Sequence, residues 1–171
     1  MNSHELKYRR TPVVLETFAD LETPLSIYLK LANGPFSYLL ESSQGDEKWG
    51  RYSIIGLPSE TILSVRGQNI EIRQKGEVVE SVETEDPMQF IESFQERYQI
   101  DHQDNLPRFY GGLVGYFGYD TVRYVEKKIK DTAPHDPLGT PDILFMISED
   151  IVVFDNIESK IQYIKLVDPD M

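Results

Sequence analysis

No cysteine occurs among the 171 residues, which removes disulfides, thiolate zinc sites and thiol nucleophiles together. Histidine is scarce, with three residues at positions 4, 102 and 135, and that scatter makes no metal-ligand spacing. Basic residues are in the minority: 17 Lys and Arg stand against 29 Asp and Glu, a net charge of -12. Such a surface repels a polyanion, and there is no basic face of the kind a nucleic-acid partner requires. No apolar run approaches the roughly 20 residues that span a bilayer. The opening MNSHELKYRR is not followed by the hydrophobic core of a signal peptide. Low-complexity segments and fixed-period repeats are also missing. The expectation is a cytoplasmic protein with neither nucleic acid nor membrane as partner. What is present, 40% hydrophobic and 27% charged residues, is ordinary for a globular chain with one good core.

The chain is organised around Thr23 to Gly56. Thr23 is placed to cap a helix with Pro24 at its first position, where the missing N–H costs nothing, and Asn33-Gly34 is placed to stop it. Pro24, Leu25, Tyr28 and Leu31 recur at helical spacing as its buried face. A strand follows in which Phe36, Tyr38, Leu40 and Ser42 point one way and Ser37, Leu39 and Glu41 the other. Its end is unusual, because a carboxylate and a hydroxyl follow two leucines directly. Taken alone, Glu41 and Ser42 fit a strand running out into solvent as well as a ligand site.

Elsewhere, Pro12-Val13-Val14-Leu15 reads as an edge strand because of its proline. Residues Glu60 to Arg66, Ile70 to Arg73 and Glu77 to Val82 read as three strands of an antiparallel meander joined by glycine turns. Asp86-Pro87 opens an amphipathic helix with Pro87, Phe90, Ile91, Phe94 and Tyr98 on one face. Asp101 to Pro107 is a polar connection whose His102 reads as solvated. Glycines 111, 112, 115 and 118 lack both the dinucleotide spacing and a P-loop lysine; they suit a close backbone approach to a buried strand. Ile143 to Ile147, Ile151 to Phe154 and Lys160 to Val167 complete the sheet. About nine strands and two or three helices without βαβ alternation argue an α+β fold, largely antiparallel. No Ser-His-acid order, metal cluster or carboxylate pair stands out, so no catalytic residue is assigned and no metal ligand.

Leu39-Leu40-Glu41-Ser42, Arg51-Tyr52-Ser53-Ile54-Ile55-Gly56, Phe109-Tyr110-Gly111-Gly112-Leu113-Val114-Gly115-Tyr116 and Tyr119-Asp120 form an ordered set over nearly the whole chain. The set resembles the amino-terminal region of anthranilate synthase component I, of the chorismate-utilising enzymes. That resemblance implies a sandwich-like half of the family fold with flanking helices, and residues 1–171 as a single amino-terminal regulatory domain. It implies that Tyr116, Tyr119 and Tyr124 are packing residues. The chorismate and Mg2+ sites then belong to a carboxy-terminal domain absent from this chain, so no cofactor is expected here, and the chain alone should be inactive as a lyase. The resemblance also implies a tryptophan feedback site at Glu41 and Ser42, with Pro24 at the helix start and Arg51, a looser match, as a carboxylate partner. A glutaminase subunit, component II, is the implied protein partner. Two alternatives accompany this: the corresponding domain of aminodeoxychorismate synthase component I, which departs at Leu-Leu-Glu-Ser, and a domain serving mainly to dock the glutaminase. Strands Ile143 to Ile147 and Ile151 to Phe154 are expected to leave an apolar face for the missing half, and hence self-association of the chain.

Overall fold

In the computed structural model, which describes residues 8–41, 50–104, 106–129, 136 and 138–170, the described residues run β1 (Tyr8–Phe18), α1 (Pro24–Leu31), β2 (Tyr38–Leu40), β3 (Tyr52–Gly56), β4 (Thr61–Arg66), β5 (Asn69–Gln74) and β6 (Glu77–Glu83). They continue with α2 (Pro87–Glu96), β7 (Tyr98–Ile100), β8 (Gly112–Phe117), α3 (Val122–Val125), β9 (Ile143–Ser148), β10 (Asp150–Asp155) and β11 (Lys160–Val167). Two sheets result, ordered β2-β3-β10-β11-β1-β7 and β6-β5-β4-β9-β8. The pairs β1 with β11, β10 with β11, β10 with β3, β2 with β3, β4 with β5, β4 with β9 and β5 with β6 are all antiparallel. The expected α+β, largely antiparallel class is therefore the observed one.

The chain divides into two compact units. One comprises Glu60–Tyr98 and Leu113–Ile147, and its β4-β5-β6 meander has the expected turns. Asp86 caps α2 by accepting from the Gln89 N–H at 3.0 Å, with Pro87 in the first turn. Ile91 and Phe94 then bury against Leu63, Val65, Ile70, Ile72, Ile143 and Phe145. The helix ends earlier than its apolar pattern suggests: Tyr98 already begins β7 yet still packs against the same core. Gly115 shows the close approach read from its sequence, since a Cβ there would lie 1.9 Å from the Leu144 carbonyl oxygen. Its strand β8 is nonetheless an edge strand with an exposed end, not a buried one. Tyr124 packs on the core and donates to Asp142 at 2.7 Å, but Tyr116 and Tyr119 are exposed, correcting their assignment as packing residues.

The second unit comprises Tyr8–Ser59, Gln99–Gly112 and the chain from Ser148 onward. Directly opposed residues share a face in an antiparallel pair, so the register of Ile55 to Val152 and Val152 to Tyr163 sets one face. That face carries Ile55, Val152 and Phe154 against Ile27 and Ala32 of the α1 segment. The opposite face carries Ile151, Val153 and Ile164 beneath Leu106, Phe109 and Tyr110. Three expectations are corrected here. Of the predicted stripe of α1, Tyr28 does pack on the core and Pro24 is half-buried, but Ile27 is the fully buried residue, while Leu25 and Leu31 are 55% and 54% exposed, because the sheet covers the helix along Ile27 and Tyr28. Pro12 lies inside the sheet, opposite Leu166; its carbonyl accepts from Gln103 Nε2 at 3.0 Å on the side away from β11, so the absent N–H is missed by no ladder bond. The apolar side chains of β9 and β10 are already buried in this chain's own clusters, which removes the stated reason for self-association. Exposed apolar residues occur instead on β1, at Val13, Leu15 and Phe18, and on α1.

Candidate functional site

The segment that carries Glu41 is built from α1, β2 and β3. Thr23 forms a capping box: its hydroxyl accepts from the Ser26 N–H at 3.1 Å and its own N–H donates to Ser26 Oγ at 2.9 Å. These bonds satisfy orphan donors at the start of the helix and set Pro24 in the first turn, half-buried. Beyond the helix, Phe36 takes a left-handed backbone, φ 57°, so the strand begins only at Tyr38 and spans three residues, shorter than the alternation from 36 to 42 implies. Within it the alternation holds. Leu39 joins the core under α1, and Tyr38 faces away, its hydroxyl 2.7 Å from Ser148 Oγ.

Glu41 follows the strand directly and is exposed. Its carboxylate has no hydrogen bond or ion pair among the described residues. Ser42 lies outside the described residues. Arg51 precedes β3, whose Ile54 stands opposite Leu40, so Glu41 and Arg51 belong to the same end of the β2–β3 pair. The Arg51 guanidinium is engaged within the chain. Its Nε and Nη2 donate to Asp155 Oδ2 at 2.8 and 2.6 Å, and Nη2 also donates to Glu158 Oε1 at 2.8 Å; the group stacks 5.0 Å from the Tyr52 ring centroid. Asp155 is 8% exposed and accepts in addition from the Ile157 and Glu158 N–H groups at 3.0 Å. The structure thus brings Pro24, Glu41 and Arg51 onto one small set of elements. Sequence reasoning missed Tyr38, Ser148 and Asp155, which fix that set, since nothing local links positions so far apart in the chain.

Burial pushes the Asp155 carboxyl up, but the Arg51 hydrogen bond, the two backbone N–H donors and the Arg51 charge outweigh it and hold the group below the usual aspartate range. A carboxyl whose folded value is depressed stabilises the fold above its unfolded value, and the gain is lost as pH falls through the folded value. Stability should therefore decline on acidification below the ordinary aspartate range. Asp155→Asn should be less stable at neutral pH and show a shallower acid decline; chemical unfolding across the acid range checks this, and parallel pH curves would remove Asp155 from the account.

Among the described residues no group of three or more His, Cys, Asp or Glu side chains is placed to hold a metal ion. His102 is exposed beside Asp104, and His4 and His135 lie outside the described residues. Among the described residues no helix is long and apolar enough to cross a membrane. What the site offers chemically is a carboxylate with no partner among the described residues, at the end of a strand packed beneath a capped helix.

No protein-family model matches the chain. It is 59% identical over 162 residues to anthranilate synthase component 1 of Pseudomonas putida, a match covering 95% of this chain and 33% of that protein. The corresponding protein of Pseudomonas aeruginosa is 57% identical over 162 residues, with the same coverage, and that of Aquifex aeolicus is 43% identical over 158 residues, covering 92% of this chain and 31% of the relative. Among solved structures, anthranilate synthase component I from Streptococcus pneumoniae TIGR4 matches with a TM-score of 0.51 and 28% identity, over 87% of this chain and 31% of that one. The chain spans about a third of the length of the curated relatives it matches. By sequence and by fold, then, the chain is homologous to the amino-terminal region of anthranilate synthase component 1 proteins, over about a third of their length.

Proposed function

We propose that this chain is the tryptophan-sensing region of an anthranilate synthase, the lyase that converts chorismate and glutamine-derived ammonia to anthranilate and pyruvate in the cytoplasm. Chorismate and Mg2+ are then handled by the part of the protein that lies beyond this region. The observation that carries the sensing role is the Glu41 carboxylate, exposed and without a partner among the described residues at the end of a strand whose Leu39 packs beneath α1. A carboxylate in that position pairs with the ammonium of a free amino acid. Ser42 supplies a hydroxyl, and Pro24 with the neighbouring apolar side chains flanks the indole. Arg51, held by Asp155 and Glu158, enters this reading as the residue that secures the start of β3, and offers a ligand carboxylate only its remaining donors.

A feedback site acts through a difference in affinity between two states of the enzyme and leaves the chemical step alone. In the complete enzyme, Ser42→Leu removes a hydroxyl and fills the pocket, and tryptophan binding should weaken by about 1–3 kcal/mol, roughly tenfold to a hundredfold. Turnover without tryptophan should stay near normal. Calorimetry and inhibition assays on both forms decide it: equal affinities, or loss of basal turnover together with inhibition, return Glu41 and Ser42 to a solvated strand end.

Exposed Leu15, Phe18 and Leu25 favour a second reading, in which the region also docks the glutaminase subunit. Co-elution with the glutaminase that is lost in a Leu25→Glu form supports it; unchanged co-elution removes Leu25 from that surface.

A further inference from the structure

We infer that Tyr38 is a positioning residue for Glu41, holding the short strand that leads to it by a hydroxyl pair with the buried Ser148; the ligand half of this inference rests on the tryptophan reading above. Strand β2 has three residues and lies at the edge of its sheet, and so short an edge strand has few ladder bonds with which to keep its register. Its register matters, because a slip of one residue would turn Leu39 away from the α1 core and move Glu41 along the strand by about 3.3 Å.

The Tyr38 side chain supplies the missing constraint. Its ring crosses the neighbouring strand over Gly56, its paired residue, where an added Cβ would sit 1.9 Å from Tyr38 Cε1. A glycine at 56 is what leaves the ring its path. The hydroxyl then reaches Ser148 Oγ at 2.7 Å, and Ser148 is 2% exposed. The anchor itself is firmly held: the next two carbonyls, of Glu149 and Asp150, accept from the Leu166 N–H at 2.7 Å and the Leu57 N–H at 3.0 Å. Tyr38 is thus tied to a point bonded both to β11 and to the residue after β3. A slipped strand would have to break the hydroxyl pair and push the ring off Gly56. Glu41 is three residues beyond this tie, so the placing of its carboxylate follows from it.

Because Tyr38 acts only through Glu41, its loss should be felt by the part of a ligand that Glu41 meets, the ammonium, and not by the apolar part. Tyr38→Phe keeps the ring over Gly56 and removes the hydroxyl. In the 171-residue chain, hydrogen exchange of backbone amides at 38–41 and 54–57 should accelerate by about tenfold, a shift of the size a single net hydrogen bond supplies, with β4 to β6 unchanged. Calorimetry should show tryptophan binding weakened about three- to tenfold, while indole-3-propionate, which lacks the ammonium, is held within about twofold. Ser148→Ala should reproduce both results, and the double variant should add nothing, as expected of partners in one bond. Unchanged exchange at 38–41 overturns the inference, as does an equal loss for both ligands, which would mark general damage. If the unmodified chain binds no tryptophan, the two-ligand comparison is made in the complete enzyme, where the proposed site acts, and the exchange measurement by itself still decides whether Tyr38 holds the segment.

Discussion

Phe94→Ala should lower the stability of the unit formed by Glu60–Tyr98 and Leu113–Ile147 by about 3–5 kcal/mol, the range for emptying a buried aromatic site. Phe94 is 2% exposed and sits where α2 meets the sheet, among Ile91, Leu63, Val65, Ile70 and Ile143. Its ring is stacked 6.4 Å from Phe90 and tilted 5.6 Å from Tyr98, with the Arg97 guanidinium 5.3 Å from its centroid. Alanine removes all three ring contacts as well as the apolar volume, and the flanking strands are tied into a ladder that gives little room to collapse into the space. Phe94→Leu, which keeps most of the volume, should cost distinctly less. Urea unfolding followed by circular dichroism measures both. A Phe94→Ala form within about 1 kcal/mol of the parent would mean that the ring lies outside the core.

Gly115→Ala should be nearly as damaging, about 3 kcal/mol, at the upper end of what overpacking costs. The clash is with the Leu144 carbonyl oxygen at 1.9 Å and its carbon at 2.9 Å, backbone atoms that no rotamer change can move. Leu144 is paired with Ser64 on its other side, so β9 cannot retreat, and the edge strand β8 must separate instead. Faster amide exchange in β8, with exchange in β4 and β5 retained, is the expected signature. A variant as stable as the parent would show that β8 and β9 have room to part without loss.

What the sequence determined by itself about this protein is its local chemistry. The caps at Thr23 and Asp86, the prolines behind them and the turns of the β4-β5-β6 meander are observed where their residues place them, because each depends on hydrogen bonds and backbone angles within a few positions. The α+β class followed from the same periodicities. Leu39-Leu40-Glu41-Ser42 could be singled out as a motif, and Glu41 is exposed at the end of a strand. The tertiary structure decided which face of each element is buried and which distant residues meet. Ile27 and not Leu25 is covered, since the line of contact of α1 depends on Ile55, Val152 and Phe154 beneath it. Pro12 sits inside a sheet because Leu166 opposite it donates its N–H away from β1, to the Glu149 carbonyl, so this pair exchanges no ladder bond. The ties that hold the candidate site, Tyr38 to Ser148 and Arg51 to Asp155, cross 110 and 104 positions of chain. Such pairs are set by strand order and register, which arise from the simultaneous burial of two sheet faces, and no window of neighbouring residues contains that information.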